Sequence, residues 1–184
     1  MRASELAFRD ASLSHTQNGI YGEMWIAALI ATCFVTADIH EGLEISLAFV
    51  PPRSRLVEAI RDAMELHASG LGWEPARDGI EDRYGHYSGV NAVNNAAVVA
   101  AALLWGEGDY SRTIGLAVQG GWDTDCNGAT AGAVFGAMRG AEALPGHWVE
   151  PLHDLVRTAI LGYDRPSVSD LAERTRHLAR AGGG

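Results

Sequence analysis

Gly128, Gly132, Gly136 and Gly140 recur every four residues. At the α-helical repeat this spacing places them on one helix face that carries no side chains. A second helix backbone is therefore expected to approach that face closely. Such a stripe is useful only where helices pack on helices.

The rest of the chain repeats the helical period. Tyr21 to Ala31 is apolar on nearly every face, as expected of the central helix of a bundle. Pro51-Pro52 closes the helix before it, because proline cannot continue the hydrogen-bond ladder. Arg53 or Ser54 then opens Arg55 to Leu66, where Leu56, Ile60, Ala63 and Met64 form a stripe opposite the charges. Gly70-Leu71-Gly72 breaks the pattern, and Asn91 is placed to cap a helix from Ala92 to Trp105. Asp109 caps a shorter helix through Ile114 to Val118, closed by Gly120-Gly121. By periodicity alone Ile114 to Val118 also reads as a strand. Ser167 with Asp170 three residues later makes a capping box for a last helix ending near Arg180. The expectation is an all-α, compact multi-helix bundle of roughly eight helices. It forms one domain over residues 1–180, with a flexible glycine tail over 181–184.

The 184 residues carry a formal charge of −9. Phosphate backbones require clustered Lys and Arg, so nucleic acid is not an expected partner. A polyanionic ligand would need a metal ion or a helix N-terminus to help hold it. Cys33 and Cys126 form no CxxC pair, which argues against a disulfide framework or a structural zinc. The apolar run from Met24 to Ala37 is too short to span a bilayer. The first ten residues lack the apolar segment of a secretory leader. A cytoplasmic protein without membrane association is expected.

The stretch that carries chemistry is Gly120-Gly121-Trp122-Asp123-Thr124-Asp125-Cys126-Asn127-Gly128. Asp-x-Asp-x-Asn-Gly matches the first half of a calcium loop, but the twelfth position, which needs a bidentate Glu, is Val134. An aspartate-nucleophile phosphotransferase would place the apolar run directly before the aspartates, and here Gly120-Gly121-Trp122 intervenes. Two readings remain open on the residues alone. Asp123 and Asp125 hold Mg²⁺ at a helix start, or they merely cap the glycine-rich helix and offset its dipole. Cys126 as a nucleophile lacks a local base.

Gly-Gly-Trp-Asp-Thr-Asp-Cys-Asn-Gly-Ala-Thr-Ala-Gly-Ala resembles the C-terminal metal motif of the ADP-ribosylglycohydrolase family, the relatives of dinitrogenase reductase-activating glycohydrolase. Asp10 to His15, Asn18 to Gly22, Pro52 to Leu56 and Asn94 to Val99 also match one branch of it. The resemblance implies an all-α fold with a two-Mg²⁺ site that binds the ribose of ADP-ribose. It implies hydrolysis of the glycosidic bond joining ADP-ribose to a protein side chain, or of a related ADP-ribosyl compound. By position, Asp123 and Asp125 become the catalytic metal ligands, and His15 and Asn94 become ligand-binding residues; Asn94 and Asn95 together are candidates to cap or line the pocket, the alternative being buried asparagines that pair with loop backbone. Cys126 stands where many relatives have a metal-contacting threonine, and a thiol is a poor Mg²⁺ ligand. The family's Thr-Asp-Asp ligands and Met-Arg loop do not occur before Asp10. The expectation is thus the C-terminal part of a full enzyme. It is either active on ADP-ribose compounds or an ADP-ribosylated protein when completed, or a non-catalytic truncated member that binds ADP-ribose or assembles with a partner chain. Apolar surface on helices such as Tyr21 to Ala37 is expected to be covered by a homo-oligomer or a complementing chain.

Overall fold

The computed structural model describes residues 2–181, and among them the fold is all-α. One compact unit, Met1–Ala143, holds eight helices: α1 (Arg2–Ala11), α2 (Asn18–Cys33), α3 (Ile39–Leu47), α4 (Arg55–Ala68), α5 (Trp73–Tyr84), α6 (Ala92–Trp105), α7 (Tyr110–Gln119) and α8 (Thr124–Arg139). A second unit, Leu144–Gly184, contains the short α9 (Gly146–Val149) and α10 (Val168–Ala181). The apolar run at Ile114 to Val118 is helical, inside α7. Of the expected tail, Ala181 closes α10 and residues 182–184 lie outside the described residues.

Helix starts fall where short polar side chains satisfy the unpaired first-turn N–H groups. Ser54 Oγ accepts from Val57 N at 3.3 Å, Asn91 Oδ1 from Val93 N at 2.9 Å and Asp109 Oδ1 from Arg112 N at 2.7 Å. The α4 start takes a second cap from far upstream, where Asn18 Oδ1 accepts from Leu56 N at 3.2 Å. At α10 the expected capping box is only half formed. Ser167 Oγ accepts from Asp170 N at 3.0 Å, but the Asp170 carboxylate pairs with Arg174 at 2.8 Å. Two other first-turn donors go to Asp154, Val168 N to its carbonyl at 3.0 Å and Ser169 N to its carboxylate at 2.9 Å.

The centre of the first unit is α6. From Val93 to Trp105 every residue is buried except Asn95. Leu29, Leu43, Leu56, Ile60, Ile80 and Val134 close around it with almost no exposure. Of the stripe on α4, Leu56, Ile60 and Ala63 are buried as its period requires, with Val57 and Ala59 widening it, and Met64 is half-buried against the core. The apolar α2 is not the central helix: Tyr21, Ile26 and Ile30 are only half-buried, and Phe34 and Val35, just past its end, are 73% and 85% exposed. One side of α2 forms the wall of a cleft.

The glycine stripe of α8 works over its first half, and not as a seat for another backbone. A Cβ at Gly128 would touch Val118 at 3.5 Å, and one at Gly132 would stand 3.2 Å from Ile114, both side chains of α7. Nothing lies within 4 Å of such an atom at Gly136 or Gly140, and Gly140 is already past the helix end.

Candidate active site

Between α7 and α8 the chain turns through two successive left-handed residues, Gly121 at φ 85° and Trp122 at φ 57°. The second is unfavourable for a residue with a Cβ. The turn is held from two sides. Gly120 lies on α6 so closely that a Cβ there would stand 2.3 Å from Val98 Cγ1. On the other side, Arg77 of α5 donates from Nε to Gly120 O at 3.3 Å. Its guanidinium sits 5.8 Å from the centre of the Trp122 ring, within cation–π range, and pairs with Glu81 at 2.7 Å.

The turn delivers Asp123 to the N-cap of α8. Its backbone N–H donates to Asn95 Oδ1 at 3.1 Å, and Asn127 Nδ2 donates to the same oxygen at 2.8 Å. Asn95 Nδ2 donates in turn to Gly89 O at 2.9 Å and Asn91 O at 2.8 Å. The Asp123 carboxylate makes no capping bond to the α8 backbone, although capping is what an aspartate at this position usually does. It accepts instead from the Cys126 thiol. That hydrogen bond, together with the charge of Asp123, raises the Cys126 pKa, so the sulfur stays a thiol and is a poor nucleophile.

The ligand atoms of Asp123, Asp125 and Cys126 all lie within 4.8 Å of one another. Among the described residues no other group of three or more His, Cys, Asp or Glu is so arranged. Mg²⁺ takes one or two carboxylates and keeps several waters, so the donor chemistry of the two aspartates fits that ion. The soft, protonated sulfur of Cys126 does not.

Asp123, Cys126 and Asn127 line one side of a cleft of about 640 Å³. The start of α2 with the residues just before it also lines the cleft, and Asn91 and Asn95 contribute from the α6 end. His15 and Glu23 face this space. His15 Nδ1 is 2.8 Å from Ser14 Oγ and 3.6 Å from the Glu23 carboxylate. Gly19 lets the imidazole lie against the first turn of α2, since a Cβ there would come within 3.0 Å of the ring. Trp25 also lines the cleft, with its buried Nε1 lacking a hydrogen-bond partner.

Of the residues singled out from sequence, Asp123 and His15 are thus brought to one cleft, while Asp125 is exposed beside it. Asn94 is elsewhere. It is fully buried, donates to Ser88 O at 3.2 Å and accepts from Asn95 N at 3.1 Å, so its amide holds a loop and does not line the cleft. Of the two neighbouring asparagines, only Asn95 lines the cleft. Arg77 and Glu23 were not anticipated. Glu23 stands alone as an acidic residue among the apolar residues of α2, which was a usable signal. For Arg77 no local pattern hints at a contact with Gly120, 43 positions away.

A family model described as ADP-ribosylglycohydrolase matches residues 1–183. No curated protein and no solved structure matches the chain.

Proposed function

The chain belongs to the ADP-ribosylglycohydrolase family of hydrolases, and we propose that its cleft takes an ADP-ribosyl group for Mg²⁺-dependent hydrolysis of the bond to a protein side chain or related aglycone. The observation that carries this reading is the Asp123 carboxylate. It sits at a helix N-cap, is not spent on the helix backbone, and stands at the cleft within metal-sharing distance of Asp125.

Asp123 and Asp125 would hold the ion. When bound, Mg²⁺ supplies orientation of ribose hydroxyls and a water, and stabilises charge near the anomeric carbon. His15, in the lining of the same cleft, offers a hydrogen bond to a ribose or diphosphate oxygen. In a chain of net charge −9, a diphosphate gains further help from the N-terminal ends of α2 and α8, where backbone N–H groups point outward. We place the protein in the cytoplasm; both cysteines are unpaired, and no helix of the described residues is long and apolar enough to cross a membrane.

The test is calorimetric titration of ADP-ribose into the purified chain, with and without Mg²⁺, alongside Asp125→Ala. Mg²⁺-dependent binding that disappears in the variant supports the reading. Binding of equal strength in all conditions overturns the metal assignment.

A second reading is favoured by the ligand count. Two carboxylates make only part of a two-metal cage, and no second acidic group of the kind stands among the described residues. On this reading the chain binds ADP-ribose without turnover, or works in a homo-oligomer or with a complementing chain that supplies the missing ligands. The exposed Phe34 and Val35 offer apolar surface for such a contact. Turnover of an ADP-ribosylated protein by the monomeric chain alone rules this second reading out.

A further inference from the structure

We infer that Asn95 is a positioning residue that fixes the aim of the Asp123 carboxylate and ties it to the rim of the cleft. The inference rests on the proposed Mg²⁺ site and adds to it a residue that acts through the backbone of Asp123.

Asp123 needs such a device. Its φ and ψ are −87° and 71°, outside the helix it precedes, and the two residues before it are both left-handed. As the N-cap residue, its backbone N–H has no partner within α8. Asn95 Oδ1 provides that partner at 3.1 Å and takes Asn127 Nδ2 at 2.8 Å on the same oxygen. The two donors fix which end of the Asn95 amide is oxygen. The opposite end is equally committed, with Nδ2 donating to Gly89 O and Asn91 O. All four hydrogen-bonding positions of the side chain are therefore used. A fully used amide cannot flip or swing without breaking bonds at both ends, so it transmits position from the loop carrying Asn91 to the backbone of Asp123.

Its burial supports the same role. Asn95 is the one half-exposed residue between Val93 and Trp105, and it belongs to the cleft lining with Asn91 and Asp123. It stands on a helix whose other side chains from Val93 to Trp105 are buried in the core, which makes it a rigid support. Supporting residues of this kind typically change metal affinity by about 10–100-fold when removed.

The experiment measures Mn²⁺ affinity by electron paramagnetic resonance, with Mg²⁺ competition, in the wild type, Asn95→Leu, Asp125→Ala and Ser54→Ala. Leu keeps the volume of Asn95 but neither donates nor accepts. Ser54→Ala removes one of the two caps at the α4 start, distant in sequence from the turn, and serves as a control for general loss of stability. The expected result is affinity weakened at least about tenfold in Asn95→Leu, unchanged in Ser54→Ala and abolished in Asp125→Ala. A folded Asn95→Leu with wild-type affinity overturns the positioning role while leaving the metal site standing. So does a loss of equal size in Ser54→Ala, since affinity would then follow stability alone. Should Asn95→Leu fail to fold, Asn127→Ala, which removes one of the two donors that orient the Asn95 amide, is expected to weaken affinity by a smaller factor; no change there refutes the role. A wild type that binds no metal, with Asp125→Ala behaving identically, removes the proposed site and this inference with it.

Discussion

Gly120→Ala is the sharpest test of how the aspartates are held. The φ of Gly120 is −58°, so alanine is conformationally acceptable there and any penalty is steric. The added Cβ would stand 2.3 Å from Val98 Cγ1 and 3.2 Å from its Cγ2. Reaching ordinary contact requires a displacement of about 1 Å. Val98 cannot supply it easily, because a β-branched side chain in a helix has essentially one rotamer. It is 1% exposed between Ala97 and Val99, which are also buried. The strain should therefore cost about 2–3 kcal/mol, the upper part of the range for overpacked cores. Part of it should appear as movement of the turn away from α6, which would also stretch the bond from Arg77 to Gly120 O. The assay is urea unfolding of the wild type, Gly120→Ala, Val98→Ala and the double variant. Val98→Ala alone should lose about 2 kcal/mol by deleting buried methyl groups. In the double variant the alanine Cβ fills space that Val98 vacated, so the losses should fall short of additive by more than about 1 kcal/mol. A Gly120→Ala protein within about 0.5 kcal/mol of the wild type, or a strictly additive cycle, refutes the close-approach argument.

Tyr84→Phe removes a 2.6 Å hydrogen bond to Asp62 in a nearly buried setting and should cost about 1–2 kcal/mol in the same assay, Arg83 still pairing with that carboxylate. Burial and the bond to Asp62 raise the Tyr84 pKa, so its contribution is complete below the ordinary tyrosine range and fades as pH rises above it. Alkaline titration should destabilise the wild type more than Tyr84→Phe. Asp154, whose pKa is lowered by its hydrogen bonds from Ser169, contributes above the ordinary aspartate range and loses that contribution as pH falls through its depressed value. Circular dichroism of the residue 144–184 unit should accordingly lose α10 signal on acidification, and Asp154→Asn should flatten that dependence; an identical acid profile for the two proteins would falsify the cap. Arg77→Ala should cost about 1 kcal/mol and raise acrylamide quenching of Trp122 fluorescence, read in a variant whose other tryptophans are phenylalanine. Unchanged quenching would mean that the guanidinium does not hold the ring.

What the sequence determined by itself was local. The helices at Arg55, Ala92 and Tyr110 begin where Ser54, Asn91 and Asp109 announce them, because a cap bonds to a backbone N–H two or three residues away. Asp123, Asp125 and Cys126 were legible as one cluster for the same reason: they are nearly adjacent in the chain, so any helix start brings them together. The all-α class followed from a period that needs only one turn of chain to declare itself.

Only the tertiary structure decided the rest. It made α6 the centre and left α2 half-exposed, although both are apolar on most faces, because hydrophobicity does not say which partner a face will meet. It gave the cleft Asn95 and sent Asn94 into the core, a choice turning on a rotation of about 100° along one helix. It also brought Arg77 onto Gly120 and Trp122 across 43 residues, and confined the glycine stripe to Gly128 and Gly132, where α7 happens to lie. Local hydrogen bonding is short-ranged and can be read along the chain. Packing sums many weak contacts between distant segments, and its outcome exists only once they have met.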